Sequence, residues 1–248
     1  GHEALPPKLI SPPFAGKGLW IWYLDQAEGG DIEAIAAKAI ESGLSWVVVK
    51  AGDGKNVWPQ FRQALGLKRP GLRLFSWGYN YGLPGEEAPI LNALRAGSEG
   101  HIINAEVEVA RLSQQKADAW VENLVEAVRQ EFPDALLAHA PLPIIGNFPN
   151  FPYETFNRLG LAAMPQFYTK ALGTGSNYPL ERLVRIWDEA SWEVKPPAIY
   201  PILQGYDRQT AENLRAEGQE CLRLFGGFSV WRWGTITEAM WRSLATLA

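Results

Sequence analysis

The chain has 248 residues, of which 47% are apolar and 20% charged, and its formal net charge is −4. This length and apolar fraction allow a sizeable core and exclude intrinsic disorder. No apolar run approaches the roughly 20 residues of a membrane span. The mild acidity argues against a nucleic-acid binder. A single cysteine, Cys221, excludes an intrachain disulfide framework. With only three scattered histidines as well, we expect neither a metal nor an organic cofactor.

Apolar runs and amphipathic runs alternate along most of the chain. The predicted strands cover residues 19–24, 46–50, 72–79, 101–109, 136–139, 162–168, 198–203 and 228–233. The predicted helices cover residues 32–42, 57–65, 86–96, 114–131, 180–189, 211–225 and 236–247. Residues 1–17 contain two Pro-Pro pairs and are predicted to be an extended lead-in to one domain, residues 18–248.

This order predicts an α/β fold, a single (β/α)8 TIM barrel. Strands that are apolar throughout, rather than at alternate positions, are typical of parallel sheets covered on both faces. Eight strand–helix units in about 230 residues match the size of such a barrel. A doubly wound open sheet is the alternative. It is disfavoured because Trp20-Ile21-Trp22-Tyr23 stands where a Gly-x-Gly-x-x-Gly motif would follow the first strand.

In a barrel, functional residues lie at the C-terminal ends of the strands. Polar and aromatic residues late in the predicted strands are therefore candidates for substrate binding or catalysis: Lys50, Asp53, Trp77, Tyr79, Asn104, Gln166, Tyr168, Gln204 and Trp231. We expect Trp77, Tyr79, Tyr168 and Trp231 to border one groove, because flat rings stack on the apolar faces of sugars. Structural alternatives remain open, since Lys50 and Asp53 could satisfy each other and the tryptophans could simply pack the barrel.

The fourth predicted strand, residues 101–109, carries the strongest signal for chemistry. Side chains alternate along a strand, so Asn104, Glu106 and Glu108 are predicted on one face. Burial raises the pKa of a carboxyl group, as a general acid requires at neutral pH. The alternative is a structural ion pair between Lys50 and Glu106 or Glu108. We expect burial to prevail and to leave Glu106 partly protonated near neutrality.

Several short segments, in this order along the chain, resemble glycoside-hydrolase barrels: residues 18–22, residues 49–54, Asn104-Ala105-Glu106 and Met164-Pro165-Gln166-Phe167-Tyr168. They look most like bacterial and phage relatives of glycoside hydrolase family 25, the lysozyme-type muramidases. The resemblance implies that Glu106 is the catalytic acid, with Asn104 in place of the first aspartate of an Asp-x-Glu motif. The strand-one aspartate of that family has no counterpart in Trp20-Ile21-Trp22. Residues 164–168 also look like the Met-x-Tyr-Asp strand of family 18 chitinases, without the aspartate.

The predicted function is that of a glycoside-hydrolase-like protein acting on peptidoglycan or another N-acetylated polysaccharide. Glu106 would protonate the glycosidic oxygen, and Glu108 or Asp53 would activate water or stabilise positive charge. The alternative is a non-catalytic carbohydrate-binding barrel in a larger phage or cell-surface assembly. A barrel enzyme for a phosphorylated metabolite is disfavoured, because no glycine-rich phosphate cradle follows the last two strands. An extracellular or virion-associated location fits the predicted function.

Overall fold

The structure, a computed structural model, describes residues 12–172 and 178–248. Its main feature is a ring of parallel strands in the order β1-β2-β3-β4-β5-β6-β7-β8, with β8 beside β1. The strands are β1 (Gly16–Ile21), β2 (Trp46–Asp53), β3 (Arg73–Asn80), β4 (His101–Ala105), β5 (Leu137–His139), β6 (Ala162–Ala163 with Gln166–Phe167), β7 (Ile202–Gln204) and β8 (Gly227–Trp231). A two-residue strand, Asn56–Val57, folds back antiparallel on the end of β2, outside the ring.

The two segments of β6 close the barrel. Ala162 pairs with Ala138 of β5, and Gln166 pairs with Ile202 of β7. Between the segments, Pro165 lacks an N–H, but its carbonyl accepts a hydrogen bond of 2.8 Å from the Ile202 amide. The prediction of a single (β/α)8 barrel is confirmed.

Helices follow most strands and form the outer layer. They are α1 (Ile32–Glu41), α2 (Gln60–Gln63), α3 (Glu87–Ala96), α4 (Val107–Ala110), α5 (Gln114–Glu131), α6 (Tyr153–Arg158), α7 (Leu180–Asp188), α8 (Ala211–Phe225) and α9 (Glu238–Ala245). The bounds of α5 and α8 match the prediction, since Ser113 and Thr210 cap their first turns through side-chain oxygens. None of the described helices is long and apolar enough to cross a membrane.

The structure corrects the sequence prediction at several element boundaries. β4 ends at Ala105 instead of residue 109, and a short helix α4 follows. Helix α6 lies between the fifth and sixth predicted strands, where we predicted neither a helix nor a strand. Of the predicted lead-in, residues 1–11 lie outside the described part of the chain, and Gly16 and Lys17 belong to β1.

Inside the barrel, large aromatic side chains occupy the space that branched aliphatic residues usually fill. Trp20, Trp46, Phe75 and Trp77 are at most 1% exposed and pack against each other with ring centroids 5.5 Å apart in the pairs Trp20–Trp77 and Trp46–Phe75. The residues that alternate with these along the strands, including Leu19 and Val47, pack on the outer side of the sheet against the helices. The strands are therefore covered on both faces, as their continuous apolar runs predicted.

Candidate functional site

A cavity of about 440 Å³ opens at the C-terminal ends of the strands. It contains ten of the eleven residues predicted from the sequence as catalytic or substrate-binding: Lys50, Asp53, Trp77, Tyr79, Asn104, Glu106, Glu108, Gln166, Tyr168 and Trp231. Trp20, Trp22, Tyr81, Ala140 and Ile202 complete its lining. Most of the strands, or the loops directly after them, contribute these side chains, so the cavity depends on closure of the barrel.

Glu106 lies directly after β4, where the chain turns from the strand into α4. Its Oε1 accepts a hydrogen bond of 2.9 Å from Gln166 Nε2, and the same amide group donates to Ala140 O at 3.0 Å. Burial raises the pKa of Glu106, a rise that the nearby Glu108 carboxylate reinforces and the Gln166 hydrogen bond opposes. Glu106 thus has the elevated pKa that a proton donor needs.

Glu108 also lines the cavity, but the reason we gave for its position is wrong. Strand alternation does not extend to residues 106–109, because β4 has ended and Glu108 belongs to α4. The neighbouring strand β5 pairs with β4 only as far as Ile103, and beyond Ala105 the backbone bonds within a helical turn instead. In the single turn of α4, the Glu108 side chain lies toward the cavity and accepts a hydrogen bond of 2.8 Å from Tyr79 OH.

Lys50 and Asp53 satisfy each other rather than Glu106 or Glu108. The Lys50 ammonium lies 2.7 Å from Asp53 Oδ2, and it also sits 4.1 Å from the ring centroid of Trp58. Tyr81 OH donates to Asp53 Oδ1 at 2.6 Å, and this hydrogen bond is the main cause that raises the pKa of Tyr81 to about 12. Of the two interpretations of the Lys50 region, the structure shows the mutual pairing.

The four aromatic residues predicted to border one groove all lie around this cavity. Trp77 and the unpredicted Trp20 form its floor at 1% exposure each, and Trp231 packs against both. Tyr168 also lines the cavity and makes an edge contact with Tyr206. Trp22 and Tyr81 could have been predicted, because each lies two residues beyond another cavity residue and points to the same side of the sheet.

Gln204 is the predicted site residue that the cavity does not include. It is fully buried, and its side-chain amide accepts a hydrogen bond from Lys170 N and donates one to Tyr206 O. Gln204 therefore joins the loops after β6 and β7. His139 of β5 is buried below the cavity lining and stacks on Phe156 with ring centroids 3.9 Å apart.

The described residues contain no group of three or more His, Cys, Asp and Glu side chains arranged to hold a metal ion. The polar groups in the cavity are carboxyl, hydroxyl and amide groups and the Lys50 ammonium, which Asp53 holds. Together with the ring faces, they are suited to proton transfer on a polar, uncharged or cationic ligand.

Comparison with known proteins yields no matching family model and no matching curated protein. Solved structures do match. A class V chitinase from Pseudomonas fluorescens Pf-5 superposes with a TM-score of 0.68 at 12% identity, over 93% of this chain and 98% of that chain. A chitinase from Chromobacterium violaceum superposes with 0.65 at 13% identity, with the same coverage. The chitinase-like agglutinin RobpsCRA from Robinia pseudoacacia gives 0.60 at 11% identity, over 92% and 98%.

The chain shares the barrel fold of these structures. At these identities the likeness establishes the fold alone. The three structures named are chitinases or chitinase-like, so the resemblance to family 25 muramidases stays a prediction from the sequence motifs.

Proposed function

We propose that the protein binds an N-acetylated polysaccharide in the cavity and hydrolyses it with Glu106 as the general acid. The observation that carries this proposal is the state of Glu106. Its carboxyl group is half-buried, has a raised pKa, and lies among ring faces at the C-terminal end of a glycoside-hydrolase-like barrel. Such a group can hold a proton near neutral pH and deliver it to the oxygen of a glycosidic bond.

Glu108 is the better candidate for the second carboxylate. Both oxygens of Asp53 are already engaged, one by Lys50 and one by Tyr81. Glu108 accepts one hydrogen bond, from Tyr79, and lines the cavity as Glu106 does. We therefore assign Glu108 to activation of water or stabilisation of the oxocarbenium-like transition state, and Asp53 to holding Lys50.

The aromatic residues supply the binding surface in this proposal. The rings of Trp22, Trp77, Tyr168 and Trp231 line the same cavity as the carboxyl pair. Stacking of sugar rings on such faces provides affinity at low conformational cost. Asn104 and Gln166 supply amide groups that could bond to sugar hydroxyl or acetamido groups.

Carbohydrate binding without hydrolysis is the second candidate function. Asn104 favours it, because an amide stands beside Glu106 where the resemblance to family 25 implies an aspartate. Proteins of this fold include both chitinases and a chitinase-like agglutinin, so the fold is compatible with either outcome.

The variant Glu106→Gln separates the two functions. Wild-type protein should cleave chitin oligosaccharides or peptidoglycan, and the variant should lose roughly 10²–10⁴-fold in rate while binding the same ligand. The matched control is Glu217→Gln. Glu217 is a buried carboxyl with a raised pKa like Glu106, but it bonds to Gln209 and Asn213 away from the cavity. This control should keep wild-type rate.

Product release would be measured by chromatography and binding by quenching of tryptophan fluorescence. Wild-type binding without hydrolysis of any polysaccharide would establish the second function instead. Full activity of Glu106→Gln would contradict the role of Glu106.

A further inference from the structure

The charged groups of the cavity divide into two halves, separated by two tyrosines. Tyr79 and Tyr81 pack edge to face with ring centroids 5.1 Å apart. Their hydroxyl groups donate hydrogen bonds to different carboxylates: Tyr81 OH donates to Asp53, and Tyr79 OH donates to Glu108. The tyrosine pair thus lies between the Lys50–Asp53 ion pair on one side and Glu106 with Glu108 on the other.

The half that holds Lys50 is electrically balanced. The Lys50 ammonium and the Asp53 carboxylate are 2.7 Å apart, and the ring of Trp58 stabilises the ammonium further. A ligand in this half therefore meets an internally neutralised pair and apolar rings. An anionic ligand would have to displace Asp53 to gain from Lys50.

The other half has carboxyl groups and, among the described residues, no cation. Its polar side chains are Asn104, Glu106, Glu108, Gln166 and Tyr168, of which only the two glutamates have carboxyl groups. Within the described part of the chain the Glu108 carboxylate receives one hydrogen bond, on Oε2, so Oε1 remains available to a ligand. Glu108 is also half-buried, which strengthens its attraction for a positive group relative to a carboxylate in water.

From this asymmetry we infer that the sugar unit beside Glu108 carries a free, protonated amino group. The ligand class is a partially deacetylated polymer of a 2-amino sugar, whose ammonium donates to Glu108 while its ring stacks on the aromatic wall. The inference rests on the proposed function, because it concerns a sugar in the same cavity. A fully N-acetylated unit is neutral there and leaves the Glu108 oxygen without a charged partner.

The test compares two ligands that differ only in acetylation, the tetramers of glucosamine and of N-acetylglucosamine. Tryptophan fluorescence reports binding, since Trp20, Trp22, Trp77 and Trp231 line the cavity. At about pH 5.5 primary amino groups are protonated. Wild type should then bind the glucosamine tetramer about tenfold or more tightly, as a charge-assisted hydrogen bond allows. Salt on the order of 0.5 M should reduce the preference.

Glu108→Gln should remove most of this preference by weakening the binding of the glucosamine tetramer. Glu126→Gln is the control, because it changes net charge equally at an exposed position on α5, away from the cavity. Equal binding of the two tetramers, or a preference that survives in Glu108→Gln, would overturn the inference and leave the proposed function intact. Binding of neither tetramer would overturn both.

Discussion

At the scale of single residues, Glu106 combines features that oppose stability and favour chemistry. A carboxyl group in a buried position is less well solvated when ionised, and its closest hydrogen-bond donor is the Gln166 amide at 2.9 Å rather than a cation. The nearby lysine is held by Asp53. An uncompensated buried acid of this kind is characteristic of functional sites, because a purely structural role would be served better by a neutral residue.

This property of Glu106 predicts a pH-dependent gain in stability for Glu106→Gln. Because the folded-state pKa is raised above the ordinary value of 4.5, the native protein binds a proton more tightly than the unfolded chain. Wild-type stability therefore declines as pH rises from the ordinary value through the raised one. Glutamine does not titrate, so the variant should exceed wild type in free energy of unfolding at about pH 8.

The difference should shrink toward about pH 4, where Glu106 is largely protonated in both the folded and the unfolded wild type. Urea unfolding at the two pH values measures it. Glu126→Gln, at an exposed position, should follow wild type at both. The measured quantity is the free energy of unfolding of Glu106→Gln minus that of wild type. If this difference were smaller at about pH 8 than at about pH 4, the effect assigned to burial of Glu106 would be contradicted.

At the scale of elements, the sequence predicts a segment well where local signals and tertiary packing agree. Helix α5 was predicted correctly because Ser113 caps it and its apolar residues recur on one face. β4 was predicted four residues too long, because the alternation of polar and apolar residues continues past Ala105, whereas the pairing with β3 ends there. Glu106 and Glu108 nevertheless line the cavity. Glu106 lies directly after the end of β4, and Glu108 lies in the short helix α4.

The sequence left the pairing of charges undecided, since Lys50 could pair with Asp53 or with one of the two glutamates. Lys50 and Asp53 lie on one strand end, and their pairing needs the bulge of β2 between Lys50 and Gly52. The aromatic filling of the barrel was left undecided as well, because inward and outward positions of an entirely apolar strand look alike until the strand's neighbours are known.

Lys17 links two helices to β1 and gives an element-scale prediction. Its ammonium is buried and donates to the carbonyls of Ser42 after α1 and of Leu244 and Leu247 at the end of α9, at 2.7–3.1 Å. Positive charge at helix C-termini is favourable, and three carbonyls would lose the Lys17 ammonium as a donor if it were removed. Lys17→Met should therefore lower the free energy of unfolding by about 2–4 kcal/mol.

Chemical denaturation of the variant tests this expectation. Lys68→Met is the control, since Lys68 is exposed and donates to a single carbonyl, that of Gly97. It should cost less than about 0.5 kcal/mol. Equal costs for the two variants would show that the bonds from Lys17 contribute no more than a surface contact.

At the scale of the whole molecule, the barrel depends on aromatic rings fitted against small residues. Gly18 of β1 leaves room for the Trp46 indole, and a Cβ at this position would lie 2.3 Å from ring carbons. Trp46 cannot easily move away, because it is held between Phe14 and Phe75. Gly18→Ala should therefore destabilise the protein by about 1–3 kcal/mol.

The control for this variant is Gly146→Ala, where an added Cβ meets no atom within 4 Å. Its effect should stay within about 0.5 kcal/mol. Thermal or urea unfolding measures both variants. A Gly18→Ala protein as stable as wild type would mean that the barrel interior adapts more readily than its close packing implies.

The same aromatic interior forms the floor of the cavity, so the fold and the proposed function share residues. Trp20 and Trp77 close the barrel below the cavity and form its floor. Trp77 is fixed by a hydrogen bond of 3.0 Å from its Nε1 to Ile21 O, and Trp20 by one of 2.8 Å to Ser229 Oγ. A floor held in this way is preorganised, which limits the entropic cost of binding.

The most direct test of the central claim is a crystal structure of Glu106→Gln with a bound amino-sugar oligomer. The account predicts that the oligomer lies across the cavity with a glycosidic oxygen within about 3.2 Å of the side-chain amide introduced at position 106, the reach of a general acid. It also predicts that a sugar ring contacts at least one of Trp77, Tyr168 and Trp231. An oligomer bound in the cavity with every glycosidic oxygen beyond that reach would contradict catalysis by Glu106, and an oligomer bound elsewhere would contradict the site itself.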